Sequence, residues 1–440
     1  MPEVVYRISS LLSRLVGPLP VGTNLGLYHL LWVLISGRLL ESRGAVTPAL
    51  AAFGLSAAAV RRALAALAYG HWEVNPVLQR WQQEVQSSGE WQPREHGGYR
   101  PVACDLIGFF RPRLKGCPTT HYLSSAGKAL PAIPVGILVR VGMVNGRRFA
   151  LPVQLLGADP ADPRETELQQ RLLRGAGPAM EALEVLLFDA GFPLSQVLAA
   201  KVPRFLGRGP QNFTARRNKL PEYPGKGRPA EYGDEARPLA RHRQGKVIPA
   251  TPPDRSESWV HQGRIITAHF WDDLVLATQK PGAESFHCIV IHDPHYRKPL
   301  LLLTNLRVTG AVAMALYRDR WPVEQPPLAA KQMLGAHRQF VFGSDSRQRL
   351  PELTLLAGSI LTYLAATSPA AATGFWDRQP QATAGRLRRA LGRVTFPDLA
   401  VPAGRIREKA SPTAHLPKGV VGHRRRPRDL PVAEPLARAA

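Results

Sequence analysis

Four short apolar runs between residues 102 and 189 constrain this chain more than any other feature. Val102-Ala103-Cys104 ends on Asp105. Residues 134–141 and 148–153 are rich in Val, Ile and Leu and are joined across Asn145-Gly146. Val185-Leu186-Leu187-Phe188 ends on Asp189. Short runs of this kind, bounded by Gly, Pro or Asn, read as strands, and Asn-Gly is a hairpin-turn signal. Residues 167–183 and 194–200 read as helices. Three strands followed by helix, strand and helix predict a mixed α/β core.

The flanking chain predicts five regions. Residues 1–95 read as an all-α domain, with an apolar helix over 25–40. A helix over 46–53, a turn at Gly54 and a second helix capped by Ser56 follow. Two short helices around a glycine turn suggest a helix-turn-helix with Arg61 and Arg62 facing DNA; simple packing of an Ala-rich segment is the alternative. A polar stretch with Gly97-Gly98 marks a boundary, and 96–207 form the first part of the core. Residues 208–305 read as a basic, loop- and β-rich insertion. Its first part, 208–255, holds eleven Lys or Arg against five acidic residues, and strands are predicted at 260–270, 273–277, 286–291 and 300–304. Residues 306–400 resume the core with helices over 309–321 and 347–367. The tail, 401–440, carries nine Lys or Arg against three acidic residues and is expected to be disordered and to bind phosphates without specificity.

Charge narrows the partners. Lys and Arg number 57 against 33 acidic residues, a formal net charge of +24. Such a balance favours a polyanion, nucleic acid first and anionic membrane second. No apolar run reaches the roughly 20 residues of a spanning helix, and Met1-Pro2-Glu3 is not a secretory start. The expectation is therefore a cytoplasmic, nucleoid-associated protein with no membrane partner. Cys104, Cys117 and Cys288 are scattered, which suits a reducing compartment and argues against structural zinc.

Tyr317, Arg320, Glu324 and Lys331 lie at offsets of three, seven and fourteen, which return to one face of an uninterrupted helix. Pro322, Pro326 and Pro327 interrupt that helix, because an interior proline removes a hydrogen bond. Either a break is built in at Trp321-Pro322 or the stretch has decayed. A solvated charged face is the bland reading of each residue alone. Asp105, Asp189 and Glu324, taken with a β-rich block before the glutamate, resemble the DDE transposases of bacterial insertion sequences. More narrowly, the chain is similar to the insertion-sequence-four-like group, whose glutamate lies in a Tyr-x2-Arg-x3-Glu-x6-Lys signature. Tyr317, Arg320, Glu324 and Lys331 match that signature at every spacing, and Asp189-Ala190-Gly191-Phe192 resembles the group's segment at the second aspartate.

The resemblance covers residues 95–370 and implies a ribonuclease-H-like core with a β-rich insertion. It implies an enzyme that cleaves and transfers DNA strands at transposon ends, dependent on Mg²⁺, with Mn²⁺ able to substitute. Asp105, Asp189 and Glu324 would be the catalytic metal ligands, and Tyr317, Arg320 and Lys331 would grip phosphates. Trp259 would stack on DNA, with Trp271 as its rival. The partner would be double-stranded DNA, both transposon ends and target, with a DNA-induced homodimer. The competing readings are a catalytically inactive or domesticated sequence-specific DNA-binding protein, and a nuclease that joins nothing. Asp272-Asp273 reads as a turn, and His287, Cys288, His292, Asp293 and His295 fit no zinc spacing.

Overall fold

The computed structural model describes residues 2–117, 119–370, 372, 374–395 and 405–408. Most of the tail from 401, including Arg424-Arg425-Arg426, lies outside the described residues.

The strand Arg100–Phe110 is the axis of the molecule. On one side it pairs antiparallel with Lys128–Val144, which turns at Asn145-Gly146 and returns antiparallel as Arg147–Gly157. Both turn residues have positive φ, as the hairpin signal requires. On its other side Arg100–Phe110 pairs parallel with Glu184–Phe188, which pairs parallel with Phe205–Arg208. Numbering these five strands along the chain gives the order 3-2-1-4-5. Glu184–Phe188 is buried at every position, as expected of a strand covered on both faces.

The insertion extends this sheet rather than forming a separate one. Leu300–Thr304 pairs antiparallel with Phe205–Arg208, and Phe286–His292 and then Arg264–Leu276 follow outward. The single strand expected over 260–270 is instead a hairpin, Arg255–His261 with Arg264–Leu276. Gln262 and Gly263 carry positive φ at its turn, a Gln-Gly pair that the sequence reading passed over. Asp272-Asp273, expected as a turn, falls at the register shift between Trp271 and Leu274, where Asp273 has φ 49°. A bulge satisfies the same local signal while the strand continues.

Residues 2–87 contain helices and no strand, with Ser56 capping Ala57–Tyr69 through the Ala59 amide. Their apolar faces merge with one face of the sheet and with the helix Ser344–Thr367 in a single core. Asn75 exchanges two hydrogen bonds with the backbone of Leu155 on the edge strand, and Gln82 donates to Val153 O. The boundary at 90–101 is no free linker either, because Trp91–Pro93 adds a short antiparallel strand to Lys128–Val144. Ser344–Thr367 is long and apolar enough to cross a membrane, contrary to the expectation from apolar runs. Its most apolar window is 83% buried in the protein, which identifies it as a core helix.

Candidate active site

Side-chain alternation decides where the first two aspartates point. Along Arg100–Phe110, Ala103 and Ile107 join the large core while Val102 and Cys104 join the opposite one, so Asp105 projects on the large-core face. Contrary to the expectation of a strand end, Asp105 lies mid-strand, and pairing continues to Phe110. The reason is visible in Leu106 and Ile107, which pack on opposite faces and keep the strand buried. The parallel register pairs Ala103 with Leu187. Asp189 directly follows the end of Glu184–Phe188, and its charge reaches the Asp105 carboxyl. Each aspartate accepts a hydrogen bond from the next amide, Leu106 N at 2.8 Å and Ala190 N at 2.6 Å.

The proline-punctuated stretch delivers the third carboxylate. The helix Gly310–Arg318 stops at Asp319. A 3₁₀ turn, Trp321–Glu324, follows, then a single α turn, Gln325–Leu328, and a π turn, Ala329–Met333. The break predicted at Trp321-Pro322 is therefore present. Pro322 and Val323 are buried while Glu324 is partly open to solvent. Missing amide donors at the three prolines are tolerated because short turns of different pitch replace one long ladder.

Arg320 ties the carboxylates together. Its Nη2 lies 3.6 Å from Asp189 Oδ2 and 3.5 Å from Glu324 Oε1. Those two oxygens can therefore be no further apart than the sum of the contacts, about 7.1 Å. Arg320 is itself buried, and burial opposes its charge. Tyr317, Asp189, Asp105 and Glu324 outweigh that burial and hold its pKa above the usual value. Asp105 shows the complementary effect. Burial, opposed by the Leu106 amide and Arg320 and reinforced by the charges of Glu324 and Asp189, pushes its carboxyl up to about 6. The Tyr317 hydroxyl is raised by burial and then by Asp189, and its ring centroid stands 6.0 Å from the Arg320 guanidinium carbon. Lys331 lies at the other end, with Nζ 5.5 Å from the Phe109 ring centroid. Burial lowers its pKa and Asp105 opposes that shift. All four signature residues thus surround the two aspartates although no single helix carries them.

Among the described residues, no three His, Cys, Asp or Glu side chains stand close enough to hold a metal ion in this arrangement. The Arg320 guanidinium occupies the space between two of the carboxylates instead. The donor set nevertheless fits a hard divalent cation, since all three groups offer carboxylate oxygens. The position of the guanidinium marks where positive charge is already favourable.

Other expected residues fall elsewhere. Trp259 is half-buried and packs on the main core, beside the start of Gly310–Arg318. Trp271 is buried and donates Nε1–H to Thr251, so no ring face is free for stacking. Arg61 is exposed, but Arg62 pairs with Glu408 at 2.6 Å. The histidine-rich cluster resolves into pairs. His287 meets Asp272 at 3.0 Å, and Asp293 meets Arg264 at 3.2 Å and Arg318 at 3.8 Å.

Sequence reasoning missed Asp319. Its carboxylate is fully buried; Oδ2 meets His96 at 2.7 Å and Arg94 at 2.8 Å, and Arg148 stands in ion-pair range of Oδ1 at 3.4 Å. Burial opposes its charge, but these donors prevail and hold its pKa below the usual range. Only its place between Arg318 and Arg320 could have drawn attention to it. Exposed Trp321 was also passed over. With Tyr296, Tyr317, Arg208, Arg318 and Arg320 it lines a cavity of about 470 Å³ beside Asp189.

No protein-family model matches this chain, and no curated protein is significantly similar to it.

Proposed function

We propose that this chain is a metal-dependent DDE transposase that cleaves and transfers DNA strands at the ends of an insertion sequence. The observation that carries the proposal is the convergence of Asp189 and Glu324 on one Arg320 nitrogen, with Asp105 within reach of the charges of all three. The strand order 3-2-1-4-5, antiparallel on one side of the axis and parallel on the other, supports a ribonuclease-H-like core. A strand interior at Asp105, a strand end at Asp189 and a tight turn at Glu324 suit this chemistry because they hold carboxylates rigidly.

Asp105, Asp189 and Glu324 would hold Mg²⁺, or Mn²⁺ in its place. Bound there, the ions would activate an attacking oxygen and stabilise the leaving one. The protein's own cations do the rest. Arg320, released from the carboxylates, offers a planar fork to a phosphate, and Lys331, within reach of the Asp105 charge, offers a point charge. Tyr317 stacks beside Arg320 and orients it. Arg208, 4.0 Å from Asp189, adds a further cation at the cavity mouth. Double-stranded DNA is the substrate on this reading, and pairing of two ends implies a homodimer formed on DNA.

Nicking of supercoiled and linear duplexes carrying the element's ends tests the reading. Asp189→Asn and Glu324→Gln should abolish Mg²⁺-dependent cleavage while end binding persists; cleavage by both variants at the parent rate would sink it. One observation favours a second reading, a DNA-binding protein without chemistry. Arg320 already neutralises two of the three carboxylates. Parent protein that binds ends yet never nicks them with Mg²⁺ or Mn²⁺ would select that reading.

A further inference from the structure

Three segments far apart in sequence meet on the side of the molecule beyond Lys331. The short helix Arg38–Glu41 and its exit turn pack against residues 335–340, where Phe340 N donates to Gly44 O at 3.0 Å and Gly335 approaches the Leu40 backbone. The helix Ala384–Leu391 buries Leu387 and Leu391 and lays the stem of Arg388 over Gly37. These segments (37–44, 335–343 and 384–395) contain seven arginines and a single acidic residue, Glu41.

Only two of the seven find a carboxylate among the described residues. Arg38 pairs with Glu41 at 3.1 Å, and Arg386 pairs with Asp377 at 2.7 Å. Arg43, Arg338, Arg388, Arg389 and Arg393 have no ionic partner there, and all but Arg388 are exposed. This is unlike the interior, where Arg94, Arg140 and Arg320 each meet acids. Packing five uncompensated guanidinium groups together costs Coulomb energy unless a polyanion supplies the counter-charge. The patch is also continuous with the candidate site. The helix Ala384–Leu391 contacts the π turn that carries Lys331, and the Lys331 carbonyl is 2.6 Å from His337 Nδ1, next to Arg338.

We propose that this arginine cluster is a second binding surface for the backbone of duplex DNA, extending the contact of one duplex outward from the carboxylates past Lys331. The cations are all guanidinium forks, which suit phosphate oxygens, and the exposed Phe340 and Phe342 rings lie in the middle segment. The proposal rests on the reading that the chain binds DNA and is indifferent to whether it cuts.

The test is the salt dependence of duplex binding by the full chain and by an Arg388→Gln/Arg389→Gln/Arg393→Gln variant, with anionic phosphatidylserine vesicles as a separate probe. Each lost phosphate contact lowers the slope of log K against log salt by about 0.9, so a fall of about 2–3 is expected. Unchanged thermal unfolding of the variant shows that the fold survives; if it unfolds early, the single Arg389→Gln variant should still lower the slope by about 0.9. An unchanged slope overturns the proposal, as does a variant that loses only vesicle binding. Parent protein that cleaves ends, paired with a variant of unchanged slope, sinks the patch and spares the transposase reading. Parent protein that never cleaves, paired with a variant of reduced slope, does the reverse.

Discussion

Asp319 and Glu324 stand five residues apart in one charged stretch and have opposite environments. Asp319 is fully buried, with His96 and Arg94 hydrogen-bonded to Oδ2 and Arg148 in ion-pair range of Oδ1 at 3.4 Å. Glu324 is partly exposed and shares one nitrogen of a single guanidinium, at 3.5 Å, with Asp189. The first carboxylate is enclosed by its partners and ties the turn to the segment at 94–96 and, through the Arg148 ion pair, to the hairpin strand. The second keeps lone pairs open toward solvent. A carboxylate enclosed by fixed partners serves the fold, whereas a partly exposed one placed near two others is available to a ligand.

The sharpest way to break this contrast is to exchange the consequences. Glu324→Gln should reduce Mg²⁺-dependent nicking to background and leave the unfolding midpoint almost unchanged, read by gel assay and urea denaturation. Asp319→Ala should instead cost about 3 kcal/mol of stability, because Arg94, Arg148 and His96 lose a buried partner. A midpoint shift larger for Glu324→Gln than for Asp319→Ala would invert the comparison.

Glu352 offers a third case, buried like Asp319 but with one neutral donor, Gln348 Nε2 at 2.8 Å. Burial, opposed by Gln348 and Arg349, pushes its carboxyl up to about 7. The folded state then holds this proton more tightly than the unfolded chain. Its contribution to stability is therefore fully present below about pH 4.5 and declines as pH rises to about 7. Relative to Glu352→Gln, the parent should lose on the order of 3 kcal/mol across that window and nothing further above it. Parallel melts of the two proteins at pH 5 and pH 8 check the sign. The smallest effect is expected at Arg320. Arg320→Gln removes the competing guanidinium, so Mn²⁺ affinity without DNA should rise about tenfold, or 1.4 kcal/mol. Electron paramagnetic resonance titration showing equal or weaker affinity would mean that Arg320 does not compete for the site.

Much of this was legible in the chain and some was not. The apolar runs located the core strands and Asn145-Gly146 located their hairpin, because strand patterning and turn chemistry are local. The signature spacing named Glu324, and the prolines named the break beside it. By contrast, Gln262-Gly263 hid a hairpin inside one apolar stretch, and Asp105 seemed to end a strand that runs five residues further. Trp271 and Trp259 read alike in sequence, yet one is sealed in the insertion's core and the other lies against a helix start. Burial of that kind depends on which strands become neighbours, and pairing partners here come from up to a hundred residues away.

Sequence alone determined the residue types and the order of elements. It supplied three carboxylates, the cations interspersed among them and the strand runs that carry two of the acids. Tertiary structure alone decided that Asp105 and Asp189 share the field of one guanidinium, that Arg320 turns inward to both Asp189 and Glu324, and that Asp319 is enclosed by His96, Arg94 and Arg148. The physical reason is one of range. Hydrophobic period and turn preference act over a few residues, whereas burial and charge compensation are set by neighbours that only the folded sheet brings together.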